Sequence, residues 1–151
     1  MKEMISELDK AYIAGFLDGE GTISLRWYEG MQYNRHGNFR HVSHRLVDIQ
    51  IVNTNLDVLR YIQSLYGGSI HSKKETRENH KPVFRWRISG PNNAYAFLQD
   101  IRPYLRVKKA HVALALRFCA TANKGEVVPI LRDIRVLNQR GPIKSAQLHL
   151  N

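Results

Sequence analysis

A chain of 151 residues with 43% hydrophobic content can bury one respectable core and has little room for a second. Its 23 Lys and Arg against 13 Asp and Glu leave a net charge of +10, which raises the local concentration of phosphate polyanions. A single cysteine, Cys119, excludes an internal disulfide framework and cysteine-rich zinc sites, and no apolar stretch approaches the length of a membrane span.

The whole chain, 1–151, is therefore expected to be one domain, with about 142–151 as a polar tail. Cys119 lies in an apolar helical stretch and reads as a buried, inert thiol. The opening MKEMISELDK has neither the basic start nor the apolar body of a signal peptide, so a reducing, aqueous compartment is expected. Residues 1–21 carry two bases against five acids, whereas residues 22–90 carry 11 against 5 and residues 91–151 carry 10 against 3. The acids at the front stand out from a basic body.

In chain order, Ser6 followed by Asp9 is an N-cap signal, and Leu8, Tyr12, Ile13, Phe16 and Leu17 form an apolar stripe that predicts a helix over about 7–18. Its other side carries Ala11, Ala14, Gly15, Asp18 and Gly19, small enough for a second backbone to approach. A mid-helix Gly costs roughly 1 kcal/mol relative to Ala, so Gly15 asks for a packing reason. The run ends in two carboxylates, Asp18 and Glu20. In a chain this basic, that pattern suggests a helix end holding metal against nucleic acid.

After Gly21 the period changes to alternation. Ile23, Leu25 and Trp27 point to a core while Ser24, Arg26 and Tyr28 point away. Residues 30–41, containing Arg35 and Arg40, read as a long basic hairpin loop. A second strand turns Val47, Ile49 and Ile51 inward and His44, Leu46, Asp48 and Gln50 outward. NTNLDVLRYIQSLYGG predicts a helix capped at Asn53, Thr54 or Asn55, with Leu56, Leu59, Ile62 and Leu65 buried and Gly67-Gly68 as its stop. Two more strands follow, SIHSKK with His71 and Lys73 outward and VFRWRIS with Arg85 and Arg87 outward, joined by a polar turn TRENHKP. The remainder is helical: a segment capped at Asn92 or Asn93 with Ala96, Phe97 and Ile101 inward, an interruption at Pro103, a helix through LRVKKAHVALALRFCATA, and a last amphipathic piece with Val128, Leu131, Ile134 and Leu137 as its stripe.

The order is a doubled α-β-β unit, so the fold class is α+β, αββαββα, with a four-stranded antiparallel sheet covered on one face by helices. Its outer face would bear Arg26, Tyr28, His44, Gln50, His71, Lys73, Arg85 and Arg87, side chains suited to lie along a major groove. The histidines lack the tight spacing of zinc ligands.

The stretch YIAGFLDGEG, residues 12–21, resembles the signature helix of the LAGLIDADG homing endonucleases and their maturase relatives. The resemblance implies a homodimer, because one copy of the signature is present, with Ala14, Gly15 and Asp18 in the paired central helices. It implies metal binding at Glu20 and Gly19, Mg²⁺ as the cofactor, and a carboxylate exchange at Glu20, where many members have Asp. IQIVNTN resembles the family segment with a water-positioning polar residue, which falls on Asn53; YLRVKKAH resembles the segment with a basic residue beside the scissile phosphate, which falls on Lys108. Some relatives carry a second base shortly after the water-positioning residue, but here Leu56 and Asp57 follow NTN, so supporting charge must come from elsewhere, such as Lys73 or Lys109.

The reading is a metal-dependent, site-specific double-strand DNA endonuclease with a long near-palindromic target. Ser24, Arg26, Tyr28, His44, Leu46, Asp48, Gln50, His71, Lys73, Arg85 and Arg87 would read the duplex, and Arg35, Arg40, Lys74 and Lys109 would contact phosphates. The resemblance places the gene in an intron of an organellar genome, mitochondrial or chloroplast, or of a microbial one. The rival is a non-cleaving nucleic-acid-binding protein or an intron RNA-splicing maturase on the same scaffold.

Overall fold

The computed structural model describes residues 4–73 and 80–139. Lys74, most of the TRENHKP turn and the polar tail lie outside these residues.

The first helix, α1 (Glu7–Glu20), begins as the sequence predicts: Ser6 is the N-cap, its hydroxyl accepting the Asp9 N–H at 3.1 Å. It runs two residues further than expected and passes without a loop into the first strand, β1 (Gly21–Tyr33). Gly21 makes this possible. A Cβ there would lie 2.6 Å from the Leu17 carbonyl oxygen and 2.3 Å from its side chain, so only glycine allows the strand to leave so close to the helix.

Strand β2 (Phe39–Asn53) pairs antiparallel with the whole of β1, from Gly21 opposite Ile51 to Tyr33 opposite Phe39. The long loop expected over 30–41 is therefore a correction: both strands extend into it, and the turn is Asn34–Asn38, closed by the Asn34 carboxamide oxygen accepting the N–H of His36 and of Asn38. Helix α2 (Leu56–Tyr66) follows, capped by Asn55 and ended at Gly67. Strands β3 (Ser69–Lys73) and β4 (Val83–Ser89) complete a sheet of order β1-β2-β4-β3, antiparallel throughout.

Helix α3 (Pro91–Ile101) starts at Gly90, with Pro91 in its first turn, rather than at Asn92 or Asn93. A 3-10 turn (Arg102–Tyr104) marks the interruption at Pro103, and helices α4 (Lys109–Ala120) and α5 (Lys124–Leu137) follow. The helices cover one sheet face. The alternation predicted for the strands holds: Ile23, Leu25, Val47, Ile49, Ile51, Trp86 and Ile88 are buried in one cluster with Leu59 and Ile62 of α2, Phe97 of α3, and Val112 and Phe118 of α4. Each large apolar side chain fully buried in this way contributes about 1.5–3 kcal/mol.

The helical stripes needed more correction than the strands. Leu8 is 84% and Tyr12 52% exposed, whereas Ala14 is fully buried. In α3 the inward alanine is Ala94, and Ala96 is exposed. In α5 the buried face is Val127, Ile130, Asp133, Ile134 and Val136, one step round from the expected one, leaving Val128 exposed.

Candidate active site and nucleic-acid interface

The direct passage from α1 into β1 brings distant parts of the chain together. Gly21 opposite Ile51 closes the β1-β2 ladder, so Glu20, one residue before it, and Asn53, two residues after Ile51, meet at the same end of the sheet. Glu20 is the last residue of its helix and is exposed. Asn53 is half-buried; its Oδ1 accepts the Asn55 N–H at 2.7 Å, while the capping of α2 falls to Asn55, which takes the Val58 N–H. The Asn53 side-chain amide N–H groups are thus free of the helix.

Lys108 reaches the same place from the other end of the chain. The Asp18 carboxylate accepts the backbone N–H of Arg106 at 2.8 Å and of Lys108 at 2.9 Å, and the Lys108 ammonium donates to the Asp18 carbonyl at 3.2 Å. Partial burial pushes the Asp18 carboxyl upward, but the N–H groups of Arg106, Lys108 and Val107 and the Lys108 charge outweigh it and hold the group below its ordinary value. Asp18 serves as a cap for α4 supplied from outside that helix, whose own N-cap residue Lys108 offers no capping acceptor. The Asp18 carboxylate is thus engaged within its own chain, in the capping role that the resemblance assigns to this position beside the helix interface.

On the open side of α1, Leu8, Tyr12, Gly15 and Gly19 line up, all exposed, and a Cβ on Gly15 or Gly19 would meet nothing within 4 Å. Gly15 and Gly19 lie on this open side, whereas Ala14 is buried in the core of its own chain. Tyr12 contacts Phe16 and, edge-on, Tyr61, whose hydroxyl donates to Asp9.

Mg²⁺ takes carboxylate and carbonyl oxygens and retains waters. Glu20 and the final carbonyls of α1, which lack intrahelical donors, are oxygen ligands of this kind, with the Asp18 carbonyl already taken by Lys108 and that of Gly19 next in line. Among the described residues no group of three or more His, Cys, Asp or Glu could hold a metal ion; Glu20 and the Gly19 carbonyl match Mg²⁺ by donor type.

The outer sheet face is polar and basic, as the alternation predicts. Register sets Ser24 beside Asp48, Arg26 beside Leu46, Tyr28 beside His44, Gln50 beside Arg87 and Arg85 beside His71. Tyr28 and His44 stack at 6.1 Å with an interplanar angle of 10°, and Leu46 is 40% exposed. Arg40 continues the face opposite Gln32, Arg35 sits in the hairpin turn, and Lys73 ends β3. Asp48 differs from its neighbours on this face. It faces outward but is buried, bonded to Arg87 and Gln50. Lys109 occupies no strand position; it lines a hollow with Ala11, Tyr104 and Arg106 on the flank of α1.

Two polar residues, one near the site and one remote from it, escaped the sequence reading. His111, one turn along α4 from Lys108, has a buried Nδ1 without a partner, and burial and the Lys108 charge lower its basicity. Arg45 lies on the inner side of β2 opposite Trp27 and donates to the Cys119 carbonyl, tying the sheet to the end of α4. The one available signal was an arginine at an inward position of the alternation.

A backbone likeness to solved homing endonucleases accompanies this geometry. I-CvuI bound to the I-CreI target aligns at 21% identity over 87% of this chain and 78% of that one, with a TM-score of 0.59. The archaeal intron-encoded I-Vdi141I in complex with DNA aligns at 18% identity over 93% and 91%, with a TM-score of 0.64. The meganuclease I-CpaMI bound to uncleaved DNA gives 20% and a TM-score of 0.58, and this chain, with 91% of its length, matches 46% of that one. Identities this low establish the fold alone. No curated protein matches the chain at the sequence level. No helix among the described residues is long and apolar enough to cross a membrane. The model of the LAGLIDADG endonuclease family matches residues 13–111, from the second half of α1 to His111 in α4, and by that match the chain belongs to the LAGLIDADG endonucleases.

Proposed function

We propose that this protein is a homodimeric, Mg²⁺-dependent, site-specific DNA endonuclease that cuts both strands of a long, near-palindromic target, the gene lying within an intron of an organellar or microbial genome. The observation that carries the reading is the exposed Glu20 carboxylate, at the end of a helix whose open side is two glycines wide and at the edge of a basic sheet face. One chain presents one such carboxylate, and two chains meeting along Gly15 and Gly19 would present two at their common axis.

The dimensions suit the task. The 13 residues of β1, at about 3.3 Å each, reach about 40 Å, the length of roughly a dozen base pairs. Each chain would lay that ribbon in the major groove of one half-site, with Arg35 and Arg40 on phosphates.

Glu20 and the Gly19 carbonyl would hold the Mg²⁺ ion, which when bound supplies Lewis acidity toward the phosphodiester and its attacking water. Asn53 would orient that water with its free amide. Lys108, held by Asp18, would place its ammonium against the charge that develops on the phosphate. The test is a randomised duplex library treated with the purified protein in Mg²⁺ and in EDTA, its ends sequenced, with Glu20→Gln in parallel. Cuts at one site in Mg²⁺, lost in Glu20→Gln while duplex binding persists, are expected. Retention of particular duplexes without cuts would move the assignment to a non-cleaving binding protein or splicing maturase.

A further inference from the structure

On the outer face of the sheet Asp48 is an anomaly, because among the described outward-facing strand residues it alone is acidic. A carboxylate turned toward a polyanion repels it, so its presence calls for a compensating role. The arrangement around it shows one. Asp48 Oδ1 accepts from Arg87 Nε at 2.5 Å and Oδ2 accepts from Gln50 Nε2 at 2.6 Å. Register places Gln50 directly opposite Arg87, with Asp48 diagonal to it on the central strand β2. The Asp48 side chain is 10% exposed and that of Arg87 42% exposed, so the carboxylate lies beneath the guanidinium it binds.

This geometry has two consequences. Asp48 is too recessed, and its oxygens too committed, to serve as an acceptor for a base. Binding at Nε, moreover, leaves both terminal nitrogens of Arg87 free as an end-on fork, the shape that meets O6 and N7 of guanine in the major groove. Among the described residues, Arg26 and Arg85 on the same face have no carboxylate partner, so their forks are not fixed in advance. Arg87 is ordered before it meets DNA and therefore loses less freedom on binding.

We infer that Arg87 reads a guanine in each half-site and that Asp48 is a positioning residue, making that reading selective without touching a base. The inference rests on the duplex-binding reading above. It is tested by selecting duplexes from a randomised library in EDTA, where cleavage plays no part, with the full chain and with Arg87→Ala, Asp48→Ala and the double variant. The wild type is expected to select guanine at one position per half-site. Arg87→Ala should lose that preference, roughly 5- to 150-fold as a bidentate pair supplies, and keep the others. Asp48→Ala should relax the same position while overall affinity holds or rises, and the double variant should relax it no further than Arg87→Ala alone. Preferences surviving elsewhere report an intact sheet; if Asp48→Ala loses them all, the near-isosteric Asp48→Asn replaces it and should weaken the guanine position selectively.

A guanine preference untouched by either Asp48 variant, or one altered at a position different from that of Arg87→Ala, would overturn the inference. A wild type that selects no sequence would instead remove the site-specific reading beneath it.

Discussion

Asp18 and Lys108, ninety residues apart in sequence, are joined in both directions: the carboxylate takes the lysine's backbone N–H at 2.9 Å and the ammonium returns to the aspartate's carbonyl at 3.2 Å. The start of α4 is thereby tied to the last turn of α1, the turn that Glu20 closes.

Asp18→Ala should therefore cost about 1 kcal/mol of stability through the lost cap, with a larger fractional loss in cleavage than in duplex binding as Lys108 loses its anchor. The carboxyl is held below the ordinary aspartate value of about 3.9, so its contribution is fully present above that pH and is lost as pH falls through the lower folded value. Denaturant titrations of wild type and Asp18→Ala should differ at pH 7 and converge in acid. A constant difference down to pH 2 would show that the carboxylate charge contributes nothing.

Gly15→Leu should leave the single-chain fold intact, since a side chain there meets nothing within 4 Å, and should abolish self-association if the open face of α1 is the dimer seam. Circular dichroism and sedimentation velocity separate the two effects. An unchanged sedimentation coefficient, in a wild type that does dimerise, would move the seam elsewhere.

The glycine pair after α2 should respond unequally. Both residues have positive φ, +72° at Gly67 and +89° at Gly68, but a Cβ on Gly68 would lie 2.5 Å from the Arg87 carbonyl oxygen and 2.9 Å from the Trp86 indole nitrogen, whereas one on Gly67 meets nothing. Gly67→Ala should cost about 1 kcal/mol from backbone strain, and Gly68→Ala about 3 kcal/mol or more because Trp86, whose indole N–H donates to the Gly67 carbonyl, must move. Equal melting shifts for the two variants would contradict the close approach.

Cys119 should be inert in the native protein. Burial pushes its thiol up to about 11 against the opposing pull of Arg45, leaving almost no thiolate at neutral pH. Disulfide-exchange labelling at pH 7.5 should be slow and become fast on unfolding. Rapid native labelling would mean that the end of α4 opens readily.

The strands were legible in the sequence because a sheet face is a period of two that any one-residue error inverts, and the inward set from Ile23 to Ile88 needed no revision. Helical faces were less so. An apolar residue can sit on a partner-facing or merely exposed side as readily as in the core, which is why Tyr12, Ala14, Ala96 and Val128 changed places.

The sequence by itself determined the elements, their order, the basic outer face and the carboxylates that close the first helix, since these depend on local periodicity, capping and charge. What each carboxylate does was decided only by tertiary structure. Asp18 became a cap for α4, Glu20 stayed exposed, and Asp48 sank beneath Arg87, three acids separated by contacts across the chain. A carboxylate's role depends on which donors reach it, and donors from residues 39 to 90 positions away are set by the packing of helices and strands.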